Sequence, residues 1–255
     1  MKQVFADTAK VRDMLSEKPR RLHSSLSYTE EGSEYFAELC HQPEYYPAHV
    51  ERDLLYRESQ NIIRRTQPDQ IIDLGCGSME KSQILLHEAV KNKRDVNFIP
   101  CDIDSNIVRT GTWQLCYFYG QDVRFTPVHA GFEDCIQWAP RPAGPRLFTF
   151  LGITYGNLTE DERAYLLQQI HQNMDENDAF LMSVDLIKDK HVMERAYKDT
   201  AGYIRDSMLQ SLVNLNDYYG AQFDLKRFDH EACYEESRTA IVEYIVSLDD
   251  QVVPI

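Results

Sequence analysis

Residues 70–77 read QIIDLGCG, a short apolar run that ends in two closely spaced glycines. A helical pattern over residues 81–91 follows at once, so the stretch predicts a buried strand that turns directly into a helix. Glycine at such a turn lets the backbone adopt positive φ and approach a ligand closely. The N–H groups in the first turn of the following helix point toward the same ligand position. We therefore predict a ligand-binding turn at the end of the first strand of an α/β domain.

The alternation of strand and helix continues beyond this turn. Strands are predicted at residues 70–74, 97–101, 123–128, 146–151 and 179–185, and helices at residues 81–91, 106–118 and from Thr159, where Glu162 completes a capping-box pattern. Such alternation is typical of a doubly wound parallel sheet, which binds ligands at the carboxyl ends of its strands. The sequence thus predicts an α/β fold with a Rossmann-like core over residues 67–187.

Mostly helical segments precede and interrupt this core. Residues 1–66 have helical patterns, broken by PEYYP at residues 43–47, whose prolines prevent one continuous helix. Residues 188–229 are again mostly helical, and residues 230–255 contain two predicted strands joined by a short turn. We interpret the two helical segments as a substrate-binding cap and the final segment as a β-hairpin that completes the core sheet.

Composition limits the classes of function. The 255 residues are 43% hydrophobic, enough for a sizeable core, and carry a formal net charge of −14, which disfavours nucleic acid or an anionic membrane as partner. No stretch predicts a membrane span, and residues 1–7 lack the apolar region of a signal peptide. The six cysteines form no C-x-x-C pair, which disfavours a zinc site or a disulfide framework. We expect a soluble, cytoplasmic protein without a metal.

The residues around the glycine turn distinguish between two cofactors. A dinucleotide-binding turn continues as G-x-G-x-x-G, but after Gly75 and Gly77 the third position is Glu80, whose carboxylate would lie beside a pyrophosphate. S-adenosylmethionine (SAM) has an ammonium, a carboxylate and a sulfonium but no phosphate, so acidic neighbours suit it. Asp102 ends the second strand, where it can receive two ribose hydroxyls, and Asp73 can hold the ammonium directly or through water. D-x-G-x-G alone also fits a generic tight turn; with Asp102 it favours SAM.

Further segments carry a resemblance to a known family. They are GSEYF (32–36), PEYYP (43–47), DLGCGS (73–78) with Lys81, PCDID (100–104), FLGITYGNL (150–158), DLIKD (185–189), AYKD (196–199) and LN (215–216). In this order, over nearly the whole chain, they resemble the histidine Nα-methyltransferase family of ergothioneine biosynthesis. The resemblance implies a class I methyltransferase fold, SAM as methyl donor and methylation of an amine.

The resemblance also implies roles for single residues. Those that would hold the cofactor are Gly75, Lys81, Asp102 at the ribose and Phe132 at the adenine. Asn157 and Tyr197 would bind the carboxylate of an amino-acid substrate, since an amide N–H and a phenol O–H both donate hydrogen bonds. Tyr46, rather than Tyr45, would line the pocket near the substrate amine.

Two positions depart from the family's pattern. After the third strand the family has Gly-Asp-Phe or Ala-Asp-Phe, whereas residues 130–132 are AGF, so Glu133 or a backbone carbonyl would have to receive the adenine amino group. In the last strand the family's I-E-M is IVE at residues 241–243. If the register holds, Glu243 replaces a pocket methionine and needs a cationic or hydrogen-bonding partner, the substrate being one candidate. If the register slips, Glu243 faces solvent.

The chain also stops at VVPI, residues 252–255, where the family continues for several dozen residues that recognise imidazole. We therefore expect an N-methyltransferase for the amine of an amino acid or related small amine, with S-adenosylhomocysteine (SAH) as product, and leave histidine specificity open. Another substrate, a pocket completed by a second copy or a different chain, and a truncated sequence are the alternatives.

Two rival functions stay open. The acceptor could be an oxygen or ring nitrogen of a small molecule, or the chain could be a non-catalytic SAM-binding subunit of an active partner. The early end and the absent adenine-contacting Asp favour the subunit, whereas the glycine turn, Asp102, Lys81 and Asn157 oppose it. No catalytic base is assigned, because methyl transfer mainly requires positioning of the reactants and exclusion of water. Tyr46 is the candidate near the amine.

Overall fold

The computed structural model describes residues 8–92 and 95–255; the prediction about a signal peptide, on residues 1–7, lies outside this range. The helices are α1 (Thr8–Ser16), α2 (Glu30–His41), α3 (Tyr46–Thr66), α4 (Glu80–Asn92), α5 (Ser105–Tyr119), α6 (Phe132–Trp138), α7 (Thr154–Asn157), α8 (Glu160–Asn173), α9 (Lys190–Ala196) and α10 (Tyr203–Tyr219). The strands are β1 (Gln70–Leu74), β2 (Val96–Asp102), β3 (Val123–Phe125), β4 (Val128–His129), β5 (Arg146–Phe150), β6 (Ala179–Met182), β7 (Phe228–Glu235) and β8 (Ala240–Ser247).

These elements form two compact units. The sheet unit is Pro47–Asp185, and the helical unit combines the described chain up to Tyr46 with Leu186–Ile255. Among the described residues, no helix has both the length and the apolar character that crossing a membrane requires.

The sheet unit contains six parallel strands in the order β3-β2-β1-β5-β6, with the short β4 also paired to β2. The chain builds outward from β1 to β3 and then returns to place β5 on the other side of β1. In such sheets the order reverses at a crevice outside the carboxyl ends of the strands, where ligands bind. The predicted doubly wound parallel sheet is confirmed, and its reversal lies between β1 and β5.

The central strands β1 and β5 are buried along their whole length, as is typical of a parallel sheet covered on both faces. In β1, Ile71 belongs to a core cluster with Leu85 of α4, whereas Ile72 and Leu74 belong to a second cluster with Ile136 of α6. This is the two-residue period of a strand. Helices therefore cover both faces of the sheet. A ligand is expected to bind at the ends of the strands.

The structure confirms one local prediction in the sheet unit and corrects another. The capping box is confirmed: the Thr159 side chain accepts from the backbone of Glu162, whose carboxylate accepts from the Thr159 N–H. The predicted strand at residues 123–128 is instead the two short strands β3 and β4, because Pro127 between them has no N–H to donate to a ladder.

The helical unit contains the predicted C-terminal hairpin, but not where it was expected. β7 and β8 pair antiparallel from Phe228–Ser247 to Glu235–Ala240, and they form a sheet of their own. The prediction that residues 230–255 complete the core sheet is therefore wrong for the described residues. The reason is packing: Phe228 and Ile245 belong to the apolar cluster of Leu209 and Leu212 in α10.

The boundary at residue 66 also differs from the compact units. Residues 47–66 of α3 group with the sheet unit rather than with the helices before them. Leu55 and Ile63 explain this, since both are buried in the cluster that contains Ile71 of β1. The boundary between the units thus lies after Tyr46 and not at residue 66.

Candidate functional site

The turn after β1 has the backbone geometry that its glycines permit. Gly75 has φ of 71° and Gly77 has φ of 48°, both in the left-handed region. The N–H of Gly75 donates to the carbonyl of Cys101 at 2.8 Å, which ties the turn to the end of β2. A Cβ on Gly75 would lie 3.3 Å from the ring of Phe132, whereas one on Gly77 would meet no atom within 4 Å. The turn thus lies between β2 and Phe132, with space beside Gly77.

Asp102 lies at the end of β2 and faces this turn. One carboxylate oxygen accepts the N–H of Gly77 at 3.0 Å, and the other accepts the N–H of Asp104 at 3.0 Å. Burial raises the pKa of Asp102, although these two backbone hydrogen bonds oppose the shift. A carboxylate oxygen can accept more than one hydrogen bond, so the half-buried group can also receive two hydroxyls.

Phe132 begins α6 and is half-buried beside the turn. Its ring packs edge to face against that of Phe150, with centroids 5.0 Å apart. This contact helps to fix the orientation of the Phe132 ring. A Cβ on Gly131 would lie 3.5 Å from a carboxylate oxygen of Glu133. A carboxylate is therefore present close to the position at which the resemblance predicts an aspartate.

Asp73 is placed differently from its predicted role. Its side chain lies within the core, with 1% of the residue exposed, and it accepts hydrogen bonds from the hydroxyls of Ser82 and of Thr149, the latter at 2.7 Å. Burial raises the pKa of Asp73 to about 6, against the lowering effect of both hydroxyls. The residue joins β1 to α4 and β5, and both its oxygens are occupied inside the protein.

Lys81 forms an ion pair that the sequence did not indicate. Its Nζ lies 2.7 Å from one carboxylate oxygen of Glu51 in α3, and the other oxygen accepts the N–H of Gly152 at 2.6 Å. The partners are separated by 30 and 101 positions in sequence. No local pattern signals such a contact; only the packing of α3 against the sheet brings Glu51 to the ends of β1 and β5.

In the helical unit, the two adjacent tyrosines of PEYYP have different environments. Tyr45 is buried, with its ring edge to face against Tyr197 at 5.9 Å and Phe36 at 6.1 Å. Tyr46 is half-buried, and its hydroxyl accepts from Lys188 Nζ at 2.9 Å. A cavity of about 340 Å³ is lined by Pro43, Glu44, Tyr46, Val192 and Arg195. Tyr46 thus lines a cavity, whereas Tyr45 packs inside the helical unit.

Glu243 has the partner that a half-buried carboxylate needs. Its Oε1 lies 3.1 Å from Nε2 of His230, and the side chains are 23% and 4% exposed. Glu243 pairs with Ala232 in the hairpin register, so His230, two positions before Ala232, lies on the same face. Glu243 is thus turned away from open solvent, and the two-residue period was the signal that could have identified His230.

The predicted substrate residues lie on both units. Tyr46, Tyr197 and Glu243 belong to the helical unit, whereas Asn157 is an exposed residue at the end of α7 in the sheet unit. The predicted cofactor residues all lie in the sheet unit, where contacts link Gly75 to Phe132 and Gly77 to Asp102.

This set of groups fits SAM. The carboxylate of Asp102 suits a ribose diol, the ring of Phe132 suits adenine, and the opposite charges of Lys81 and Glu51 suit the methionyl carboxylate and ammonium. The open space beside Gly77 leaves room for the ligand at the end of β1.

Comparison with known proteins gives the family. A family model described as "Histidine-specific methyltransferase, SAM-dependent" matches residues 7–255. Histidine N-alpha-methyltransferase of Mycobacterium tuberculosis is 32% identical over 228 residues, 89% of this chain and 70% of that protein. The protein of the same name from Mycolicibacterium smegmatis is 32% identical over 231 residues, 91% of this chain and 71% of that protein.

A more distant relative has a different acceptor in its name. 4-Dimethylallyltryptophan N-methyltransferase of Claviceps fusiformis is 28% identical over 209 residues, 78% of this chain and 58% of that protein. The family model and the mycobacterial relatives both indicate a methyltransferase, and the parallel sheet with its glycine turn is consistent with that family. The chain belongs to the family of SAM-dependent, histidine-specific methyltransferases.

Proposed function

We propose that this protein transfers the methyl group of SAM to the amine nitrogen of an α-amino acid and releases SAH. Relatives named for histidine and for a tryptophan derivative share N-methylation of an amino acid, which supports the class of acceptor. The observation that carries the proposal is the carboxylate of Asp102 facing the glycine turn at 3.0 Å from the N–H of Gly77. It lies where such a sheet binds its ligand.

SAM, when bound, supplies the electrophilic methyl group, so the protein's task is to bind, orient and exclude water. Asp102 holds the ribose, Phe132 packs against the adenine, and Gly75 permits close approach of the backbone. Glu133 receives the adenine amino group in place of the family's aspartate. The hydrogen bonds of Asp73 to Ser82 of α4 and Thr149 of β5 join the end of β1 to both elements.

On the acceptor side, Asn157 and Tyr197 donate to the substrate carboxylate, and Tyr46 lines the pocket near the amine. The α-amine of an amino acid is mostly protonated at pH 7, so it must lose a proton before attack. Water beside Tyr46 can carry this proton away, and no side chain is assigned as base. Glu243 pairs with His230 at 3.1 Å. If it lines the substrate pocket, as the resemblance implies, its carboxylate favours a substrate side chain that carries a hydrogen-bond donor.

Replacing Asn157 with alanine tests the acceptor side. We expect the KM for the amino acid to rise about 10-fold with kcat nearly unchanged, because a hydrogen bond to a charged carboxylate is lost in the ground state and the transition state alike. Steady-state assays of SAH production measure both constants. Asn92→Ala, at the exposed end of α4, is the matched control. A wild-type KM for every amino acid accepted would remove Asn157 from the pocket.

A further inference from the structure

Glu51 and Lys81 form a partly buried pair of opposite charges at the edge of the sheet unit's crevice. Their charged atoms are 2.7 Å apart, and the side chains are 11% and 31% exposed. Taking charges out of water is costly, and a single pair seldom compensates for it fully. Such a pair is therefore better explained if a charged ligand adds to it.

The position of the pair coincides with the reversal of strand order. Lys81 is the second residue of α4, directly after the glycine turn of β1, and Gly152 follows the end of β5. Glu51 contacts both, because one oxygen faces Lys81 and the other accepts the Gly152 N–H. A Cβ on Gly152 would lie 3.1 Å from Lys81 Nζ, so the ammonium lies against this backbone. Glu51 thus spans the crevice between β1 and β5.

The methionyl end of SAM needs an acceptor for its ammonium group. Asp73, the residue that its place in the turn suggests, is occupied by Ser82 and Thr149 inside the core. Asp102 faces Gly77 and has the position for the ribose. Each oxygen of Glu51 also has one partner, but the Glu51 side chain is 11% exposed, whereas Asp73 is 1% exposed. A ligand in the crevice can therefore donate a further hydrogen bond to Glu51.

We propose that Glu51 accepts the methionyl ammonium of the cofactor while Lys81 pairs with the methionyl carboxylate. The assignment rests on the proposed function, since it concerns the same cofactor. The side-by-side charges are complementary to the zwitterionic methionyl end of the cofactor. Because Glu51 also holds Gly152, it connects the cofactor to the loop that leads to Asn157.

The test compares two ligands that differ only in the ammonium: SAH and its desamino analogue, titrated by calorimetry against the wild type and Glu51→Gln. Glutamine retains an oxygen for the Gly152 N–H. We expect the wild type to bind SAH about 10-fold to 100-fold more tightly than the analogue, as for a charge-assisted hydrogen bond. Glu51→Gln should lose this preference and bind the analogue about as the wild type does.

Two further variants secure the interpretation. Glu58→Gln, at an exposed position of the same helix, should keep the preference of the wild type. Lys81→Gln should weaken both ligands by a similar factor and also keep the preference, because the carboxylate is present in both. This second variant tests the assignment even if Glu51→Gln does not fold.

The outcomes separate the two proposals. An unchanged SAH affinity in Glu51→Gln, or an equal loss for SAH and the analogue, would overturn the role of Glu51 while leaving the proposed function intact. A Lys81→Gln variant that no longer distinguishes the ligands would also overturn it. A wild type that binds neither ligand would instead contradict the proposed function, and with it the assignment of Glu51.

Discussion

Replacing Asp102 with alanine is expected to weaken SAH binding by at least about 100-fold, since two hydroxyls lose a charged acceptor at roughly 10-fold or more each. The truncation also removes the acceptor of the Gly77 N–H, so the glycine turn loses one of the hydrogen bonds that hold its backbone. Asp102→Asn, which keeps one acceptor oxygen, should give a smaller loss. Calorimetric titration with SAH measures all three affinities.

The control for this experiment is Asp122→Ala, an exposed carboxylate in the turn after α5. It should bind SAH as the wild type does, because general electrostatic effects of removing one charge are screened at the surface. Binding by Asp102→Ala within about 3-fold of the wild type would show that Asp102 does not contact the cofactor; a 1.4 kcal/mol difference corresponds to about 10-fold.

Replacing Asp73 with asparagine is expected to stabilise the protein at neutral pH. Burial raises the pKa of Asp73 from 3.8 to about 6, so between these values the folded state binds more protons than the unfolded state. The contribution of this group to the free energy of unfolding therefore decreases as pH rises from about 4 to 6, by roughly 2 to 3 kcal/mol. Asparagine carries no charge and can still bond to both hydroxyls.

The measurement is the free energy of unfolding of Asp73→Asn minus that of the wild type, from denaturant titrations at several pH values. This difference should rise between about pH 4 and pH 7 and then stay constant. Asp53→Asn, exposed on α3, is the control and should differ from the wild type by less than about 0.5 kcal/mol throughout. A pH-independent difference for Asp73→Asn would show that Asp73 is an ordinary ionised carboxylate in the folded protein.

The sheet unit could be predicted because its signals are local. The apolar run of β1, the glycines after it and Asp102 at the end of β2 each follow from a short stretch of sequence. Asp102 faces Gly77 simply because parallel neighbouring strands end at the same edge of the sheet.

The remaining features depend on contacts between distant segments. The hairpin has the same local signal whether it joins the core sheet or packs on α10, and Phe228 decides this only by its packing. Glu51 finds its partners 30 and 101 positions away, so charge patterning along α3 does not indicate them. Asp73 has the sequence position of a ligand-binding residue, and only the hydroxyls of Ser82 and Thr149 show that it points into the core.

Transfer of a labelled methyl group tests the central claim most directly. The protein is incubated with SAM carrying a trideuterated methyl group and, one at a time, with the proteinogenic amino acids and simple amines, and the products are identified by mass spectrometry. We predict that at least one amino acid gains the label on its amine nitrogen, with one SAH formed for each methyl group transferred. Binding of SAM without a labelled amino acid from any incubation, or a label found on oxygen or a ring nitrogen, would contradict the account.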